Sequence, residues 1–210
     1  MRELVRNFAK DLLQHALIPR SFLWRMPREA GVALTFDDGP DPEFTPALLD
    51  LLREARVRAT FFLIGRKVEA HPTLAARIAA EGHSLGGHSF DHQVITSMSR
   101  AALGADLQRC RAAIRAATGV DTRLFRPPKG EVNLASIHGV HSHGYRLVHW
   151  SLTYSDYRRD GLEALLGRMA SRPPRPGEVI LLHDDNPYTL QALSDVLPRW
   201  KDAGLEFAAL

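Results

Sequence analysis

Two adjacent carboxylates, Asp37 and Asp38, close the apolar run Val32-Ala33-Leu34-Thr35-Phe36 and are followed at once by Gly39-Pro40. An apolar run stopped by Gly-Pro reads as a buried strand that ends in a turn. Side chains alternate along a strand, so the two acids are expected to diverge, one to hold a cation and the other to take a proton. Unpaired, their like charges would repel and raise a pKa, so a metal or a basic partner is expected beside them. Asp, Gly and Pro are also ordinary turn formers, and this segment alone admits a plain loop.

Four further segments carry groups that could complete such a site. His88-Ser89-Phe90-Asp91-His92 holds two histidines at i and i+4, which on a helical turn would share one face and bind one cation. With Asp38 they make a two-His, one-carboxylate set that leaves a position open for water. Such a set suits zinc, while cobalt, nickel and manganese remain compatible with the same ligands. Arg126 ends the segment Leu124-Phe125-Arg126, and Pro127-Pro128 then leaves Lys129 and Gly130 as the next backbone N–H donors, candidates to face an oxyanion. Asp156 is one carboxylate among the aromatic residues of 150–157, a composition that also lines sugar sites. Val179-Ile180-Leu181-Leu182 runs into His183, a strand-end histidine suited to general acid work near neutrality. His138, His141 and His143 form another cluster, which reads as the exposed face of a surface helix, and Cys110 falls on the apolar face of a helix as a core residue.

These residues need elements to position them. Strands are expected over 32–36, 59–64, 83–86, 123–126, 145–150, 178–183 and 205–209. Helices are expected from Thr45-Pro46 and over 71–80, 100–117, 133–143, 161–171 and 188–202. Strands alternating with helices imply βα units and a parallel sheet. Six or seven units over this length suit an incomplete or distorted (β/α) barrel. The five chemical segments all follow strands, so they are expected to meet on the rim formed by the C-terminal strand ends. Residues 1–30 read as an amphipathic helical extension, with Leu4, Val5, Phe8, Leu12, Leu13 and Leu17 at helical spacing, and residues 31–210 as the catalytic domain.

Composition bounds the rest. The 210 residues are 45% hydrophobic and 24% charged, enough for one domain with a core. No apolar stretch of about 18 residues is present to span a membrane. The mixed charge of the first residues argues against a secretory signal, and a lone cysteine permits no internal disulfide, so a cytoplasmic location is expected. The net charge of +3 comes from scattered arginines, which points away from nucleic acid and leaves the basic N-terminal helix free to touch an anionic membrane face or a protein partner.

Taken in order, Thr35-Phe36-Asp37-Asp38-Gly39-Pro40, His88-Ser89-Phe90-Asp91-His92, Arg126-Pro127-Pro128-Lys129-Gly130, the segment through Asp156-Tyr157, and Leu181-Leu182-His183-Asp184 resemble the five motifs of the polysaccharide deacetylase family, the NodB-homology carbohydrate esterases. The resemblance covers residues 30–209. It implies a NodB-type distorted barrel and metal-dependent removal of an N- or O-acetyl group from a sugar. It makes Asp38, His88 and His92 the metal ligands, Asp37 the general base oriented by Arg126, and His183 the general acid tuned by Asp156. Lys129 would supply an oxyanion N–H, and Leu181 and Tyr157 would wall the acetyl pocket. The family usually has Tyr at the position of Lys129, a further Asp at Thr153 and Trp at Tyr157, differences that bear on the shape of the pocket. The expected substrates are a chito-oligosaccharide, a nucleotide sugar or a lipid-linked glycan precursor. Hydrolysis of another amide, such as a cyclic ureide, and non-catalytic sugar binding are the alternatives.

Overall fold

The computed structural model describes residues 22–210. Among them eight strands form one parallel sheet: β1 (Phe22–Leu23), β2 (Ala33–Asp37), β3 (Thr60–Leu63), β4 (Ser84–Gly87), β5 (Leu124–Phe125), β6 (Arg146–Val148), β7 (Leu152–Thr153) and β8 (Val179–His183). Their order is β1-β6-β5-β4-β3-β2-β8-β7, and the sheet curls into a half-barrel. The connections are helical: α1 (Thr45–Glu54), α2 (Gly65–Ala70), α3 (Pro72–Ala80), α4 (Arg100–Thr118), α5 (Leu134–Ser142), α6 (Leu162–Ser171) and α7 (Pro187–Asp202). None of these helices is long and apolar enough to cross a membrane.

The central strands are uninterrupted apolar runs because helices cover them. β2 is buried at every position, as is β3, and β8 is buried up to its last residue, His183. Amphipathic helices supply the cover. Leu48, Leu49 and Leu52 of α1 and Leu193, Leu197 and Trp200 of α7 join Phe36, Phe61 and Leu182 in the main core. Each such Leu or Phe contributes about 1.5–3 kcal/mol of burial. A second cluster, with Leu107, Phe125, Val140 and Leu147, sits under α4 and α5. Gly86 in β4 is a packing requirement, since a Cβ there would run into the Phe62 ring.

Several sequence expectations change. The strand expected over 145–150 is β6, and the chain makes a second short strand, β7, at Leu152–Thr153. The strand expected over 205–209 is reduced to a single bridge between Phe207 and Val32. Residues 1–21 of the expected helical extension lie outside the described residues. The described end of that segment, Phe22–Leu23, is extended and pairs with β6, followed by a 3-10 turn at Arg28–Ala30.

Candidate active site

β2 delivers Asp37 to the rim as its last residue, only 3% exposed. Asp38 is no longer in the strand: its φ is 77°, a left-handed turn that swings its carboxylate toward the histidine loop. The two acids therefore part through a backbone turn, not through strand alternation as expected. Arg126, at 0% exposure, reaches Asp37 from β5. Its Nη1 donates to Asp37 Oδ1 at 2.7 Å and to Thr35 Oγ1 at 2.7 Å, and its Nη2 donates to the His149 carbonyl at 2.9 Å. The guanidinium carbon lies 4.1 Å from the Phe62 ring centroid. A buried cation needs this many partners to offset its desolvation. Burial pushes the Asp37 carboxyl up, while the Arg126 charge and hydrogen bond pull it back toward the ionised form.

His88 and His92 lie on a loop after β4, not on the helical turn expected from their spacing. Two left-handed residues, Ser89 at φ 66° and His92 at φ 57°, fold the loop so that both rings face Asp38. The loop is pinned from α4, where Asp106 Oδ1 accepts from Ser89 Oγ at 3.1 Å and from Phe90 N at 3.0 Å. Asp38 Oδ1 stands 3.6 Å from His88 Nε2 and 3.3 Å from His92 Nε2. His88 Nδ1 lies 2.8 Å from the Arg126 carbonyl, which can only accept, so Nδ1 carries the proton and Nε2 presents a lone pair. Burial holds His88 neutral, with its pKa lowered to about 3.

Asp38, His88 and His92 form a candidate cation site. One donor atom from each of Asp38, His88 and His92 lies within 4.8 Å of the other two. Asp38 Oδ1 is buried with no hydrogen-bond donor, an arrangement that costs free energy unless something positive faces it. Two imidazoles and a carboxylate suit zinc or a neighbouring divalent ion.

β8 brings His183 to the same rim, in register with Asp37. Asp156 lies in a 3-10 turn, Asp156–Arg158, entered through the left-handed Ser155. It clamps His183 twice: Oδ1 faces Nδ1 at 2.9 Å and Oδ2 accepts from the His183 backbone N at 2.8 Å. Thr189 Oγ1 also donates to Asp156 Oδ2, at 2.7 Å. Burial alone would lower the His183 pKa, but the Asp156 hydrogen bond and the charges of Asp156, Asp37 and Asp38 outweigh it and hold the ring at about 9. With Nδ1 committed to Asp156, the Nε2 proton is the transferable one.

The remaining expected residues sit at the margin. Leu181 is buried in β8 beside Thr153. Tyr157 is 57% exposed, and its ring stands edge-on to His183 with centroids 6.1 Å apart. Lys129 is exposed within the 3-10 turn Pro128–Gly130 and has φ 57°. His138, His141 and His143 belong to α5 and its C-terminal end, with His138 and His141 exposed as expected.

Asp184 closes the fifth sequence motif, which assigns it no role, and the structure gives it one. It is buried and accepts from Thr45 Oγ1 at 2.7 Å, and its backbone N donates to the Asp37 carbonyl at 3.3 Å. A Cβ at Gly39 would overlap Asp184 Oδ2. Burial pushes this carboxyl up to about 7, against the opposing pull of the Thr45 bond. Its position directly after a strand-end histidine was the available signal.

A profile described as Polysaccharide deacetylase matches residues 25–148. A peptidoglycan-N-acetylglucosamine deacetylase of Bacillus cereus is 34% identical over 206 residues, covering 95% of this chain and 96% of its own length. A chitooligosaccharide deacetylase of Sinorhizobium fredii is 35% identical over 193 residues, covering 85% of this chain and 89% of its own. The crystal structure of the Bc1960 peptidoglycan N-acetylglucosamine deacetylase superposes with a TM-score of 0.84 at 31% identity, over 90% of this chain and 91% of that one. BA3943, a CE4 family pseudoenzyme from Bacillus anthracis, gives a TM-score of 0.83 at 27% identity, over 90% of this chain and 67% of that one. Two such scores show that fold likeness does not separate active from inactive relatives, so chemistry has to be read from the residues. A profile spanning more than half of the chain, with named deacetylases matched over nearly their whole length, makes this chain a member of the polysaccharide deacetylase family and a carbohydrate hydrolase.

Proposed function

We propose that the chain removes N-acetyl groups from an amino-sugar-containing glycan and depends on a divalent metal, zinc being the best match to the ligands. One observation carries this reading. A base held by a buried arginine and an acid held by a buried carboxylate stand in register on neighbouring strands, beside a converging Asp-His-His set. A module that only bound sugar would have no use for that opposition.

Asp38, His88 and His92 would hold the cation. When bound, such an ion lowers the pKa of a water and polarises a carbonyl. Asp37 takes the proton of the attacking water, and Arg126 keeps its carboxylate ionised and aimed. His183 gives its Nε2 proton to the leaving amine, and Asp156 stabilises the imidazolium that does so. The Lys129 backbone N–H is the donor for the developing oxyanion, the first one available after two prolines. A donor of this kind contributes about 3–4 kcal/mol in comparable sites. Leu181 and Tyr157 bound the space for the acetyl methyl.

The relatives that act on peptidoglycan and on chitooligosaccharide frame the substrate test. Acetate release is measured on N-acetylated chito-oligosaccharides and on peptidoglycan fragments, before and after chelation. Acetate from at least one substrate, lost on chelation and restored by zinc, is the expected result. His88→Ala should lose stoichiometric metal. Full activity in the metal-depleted protein would overturn the metal assignment, and metal and sugar binding without acetate would favour the non-catalytic alternative.

A further inference from the structure

A concavity lies away from the rim. Glu178 immediately precedes β8 and His183 ends it, so roughly 16 Å of extended chain separates the two. Around Glu178 opens a cavity of about 800 Å³ whose lining includes Arg25, Arg28, Arg172 and Arg175. All four arginines are exposed, and Glu178 is the one acid in the lining. Four positive charges against one negative leave a net charge of +3 on a single concave surface.

The site is built and not a chance gathering of surface arginines. Glu178 is 2% exposed. Its Oε1 pairs with Arg172 Nη2 at 3.1 Å and Arg25 Nη2 at 3.5 Å, and its Oε2 accepts from the backbone N of Arg175 at 3.0 Å. Each guanidinium has five N–H donors, so these single bonds leave most of them available. The two chain segments that carry the arginines are locked together. Met26 N donates to Gly177 O at 2.9 Å, and Gly177 N donates to Gly31 O at 2.6 Å. Gly177 has φ +87°, and a Cβ there would lie 2.9 Å from Met26 O, so the closeness requires glycine. Pro173, Pro174 and Pro176 stiffen the second segment. Preorganisation of this kind lowers the entropic cost of ligand binding.

We propose that this cavity binds a phosphate-bearing anion, either a free phosphate or pyrophosphate or the phosphate headgroup of a lipid. Planar guanidinium forks match phosphate oxygens in pairs, and a multiply charged anion can engage several at once. A single carboxylate would leave most of the excess charge unmatched. The cavity volume falls within the usual range of about 300–1,000 Å³ for ligand sites.

The test uses the full chain and two probes, inorganic pyrophosphate by calorimetry and phosphatidylglycerol vesicles by co-sedimentation, with phosphatidylcholine vesicles as background. Arg28→Gln with Arg175→Gln removes two charges while leaving Glu178 its side-chain partners. Arg53→Gln with Arg100→Gln, on exposed positions of α1 and α4, removes the same charge elsewhere. Pyrophosphate affinity should fall at least tenfold in the first pair and less than twofold in the second. If only vesicles bind, the ligand is a lipid headgroup, and vesicle binding must show the same selective loss. Should the first pair prevent folding, Arg28→Gln alone is compared with Arg53→Gln. Failure of the wild-type chain to bind either probe, or equal losses in the two pairs, would overturn the proposal. Acetate release should be unchanged in both pairs, so this outcome is separate from that of the deacetylase test.

Discussion

Asp37 and His183 are register partners on the adjacent parallel strands β2 and β8. Neighbouring strands lie about 4.8 Å apart, and residues in register send their side chains to the same face. The proposed proton acceptor and proton donor are thus set side by side by backbone pairing alone. Each is held from behind, Asp37 by Arg126 at 2.7 Å and His183 by Asp156 at 2.9 Å. Each also favours the working form of the other: the His183 charge lowers the Asp37 pKa, and the Asp37 charge raises that of His183.

Asp37→Asn separates the proposed base from the proposed metal set. The amide keeps an oxygen for Arg126 and cannot take a proton. Turnover should fall by about 10²–10⁴-fold, the usual contribution of a positioned acid or base. Metal content should stay at the wild-type value because Asp38, His88 and His92 are untouched. Elemental analysis and acetate release on the same preparation check both halves. Near-normal turnover would remove Asp37 from its proposed role.

His183 sets a pH limit whose sign follows from its pKa, raised from 6.5 to about 9. A raised pKa means that the charged ring stabilises the folded chain fully below pH 6.5 and that this stabilisation is lost as pH rises through about 9. The urea midpoint of the metal-free protein should therefore decline across that window in the wild type and stay nearly flat across it in Asp156→Asn. In the active enzyme the basic limb of kcat/KM should move to lower pH in Asp156→Asn, since burial then acts on the ring without its main counterweight. A limb that stays in place would assign it to another group.

The sequence made the rim legible and its supports largely illegible. Asp37 and His183 end apolar strands and Arg126 directly follows one, and a parallel sheet collects such ends on one side. β1 and β7 are not legible in the sequence because two residues carry no periodicity. The six-residue helix α2 was hidden behind the apolar run of β3, which leads into its glycine start. The His88–His92 spacing suits a helical turn, and only the left-handed Ser89 and His92 show that a loop performs the same task. Asp184 depends on Thr45, 139 residues away, a contact that no local pattern encodes.

Arg126 is predicted to couple stability to the site. Arg126→Gln leaves the Asp37 carboxylate buried without its cation, a change that typically costs about 3–5 kcal/mol. The urea midpoint should drop accordingly. Combining Arg126→Gln with Asp37→Asn should cost less than the sum of the two single changes, with a coupling of about 0.5–3 kcal/mol expected for groups in direct contact. Strict additivity would mean that the 2.7 Å ion pair contributes little in solution.

Gly39 ties the proposed metal ligands to β8 and α1. It follows Asp38 directly, and Asp184 occupies the space that a Cβ would need. Asp184 is itself fixed by Thr45 at the start of α1 and by its backbone bond to Asp37. Gly39→Ala must therefore displace the turn that aims Asp38, because the obstacle is a buried side chain with little room to yield. Overpacking of this kind costs about 1–3 kcal/mol. The displacement should also weaken metal binding by tenfold or more, although Gly39 donates no ligand. Asp184→Ala removes the obstacle, so Gly39→Ala should cost clearly less, in both melting temperature and zinc affinity, when introduced into that background. Equal effects of Gly39→Ala in the two backgrounds would show that the turn is held by something other than Asp184.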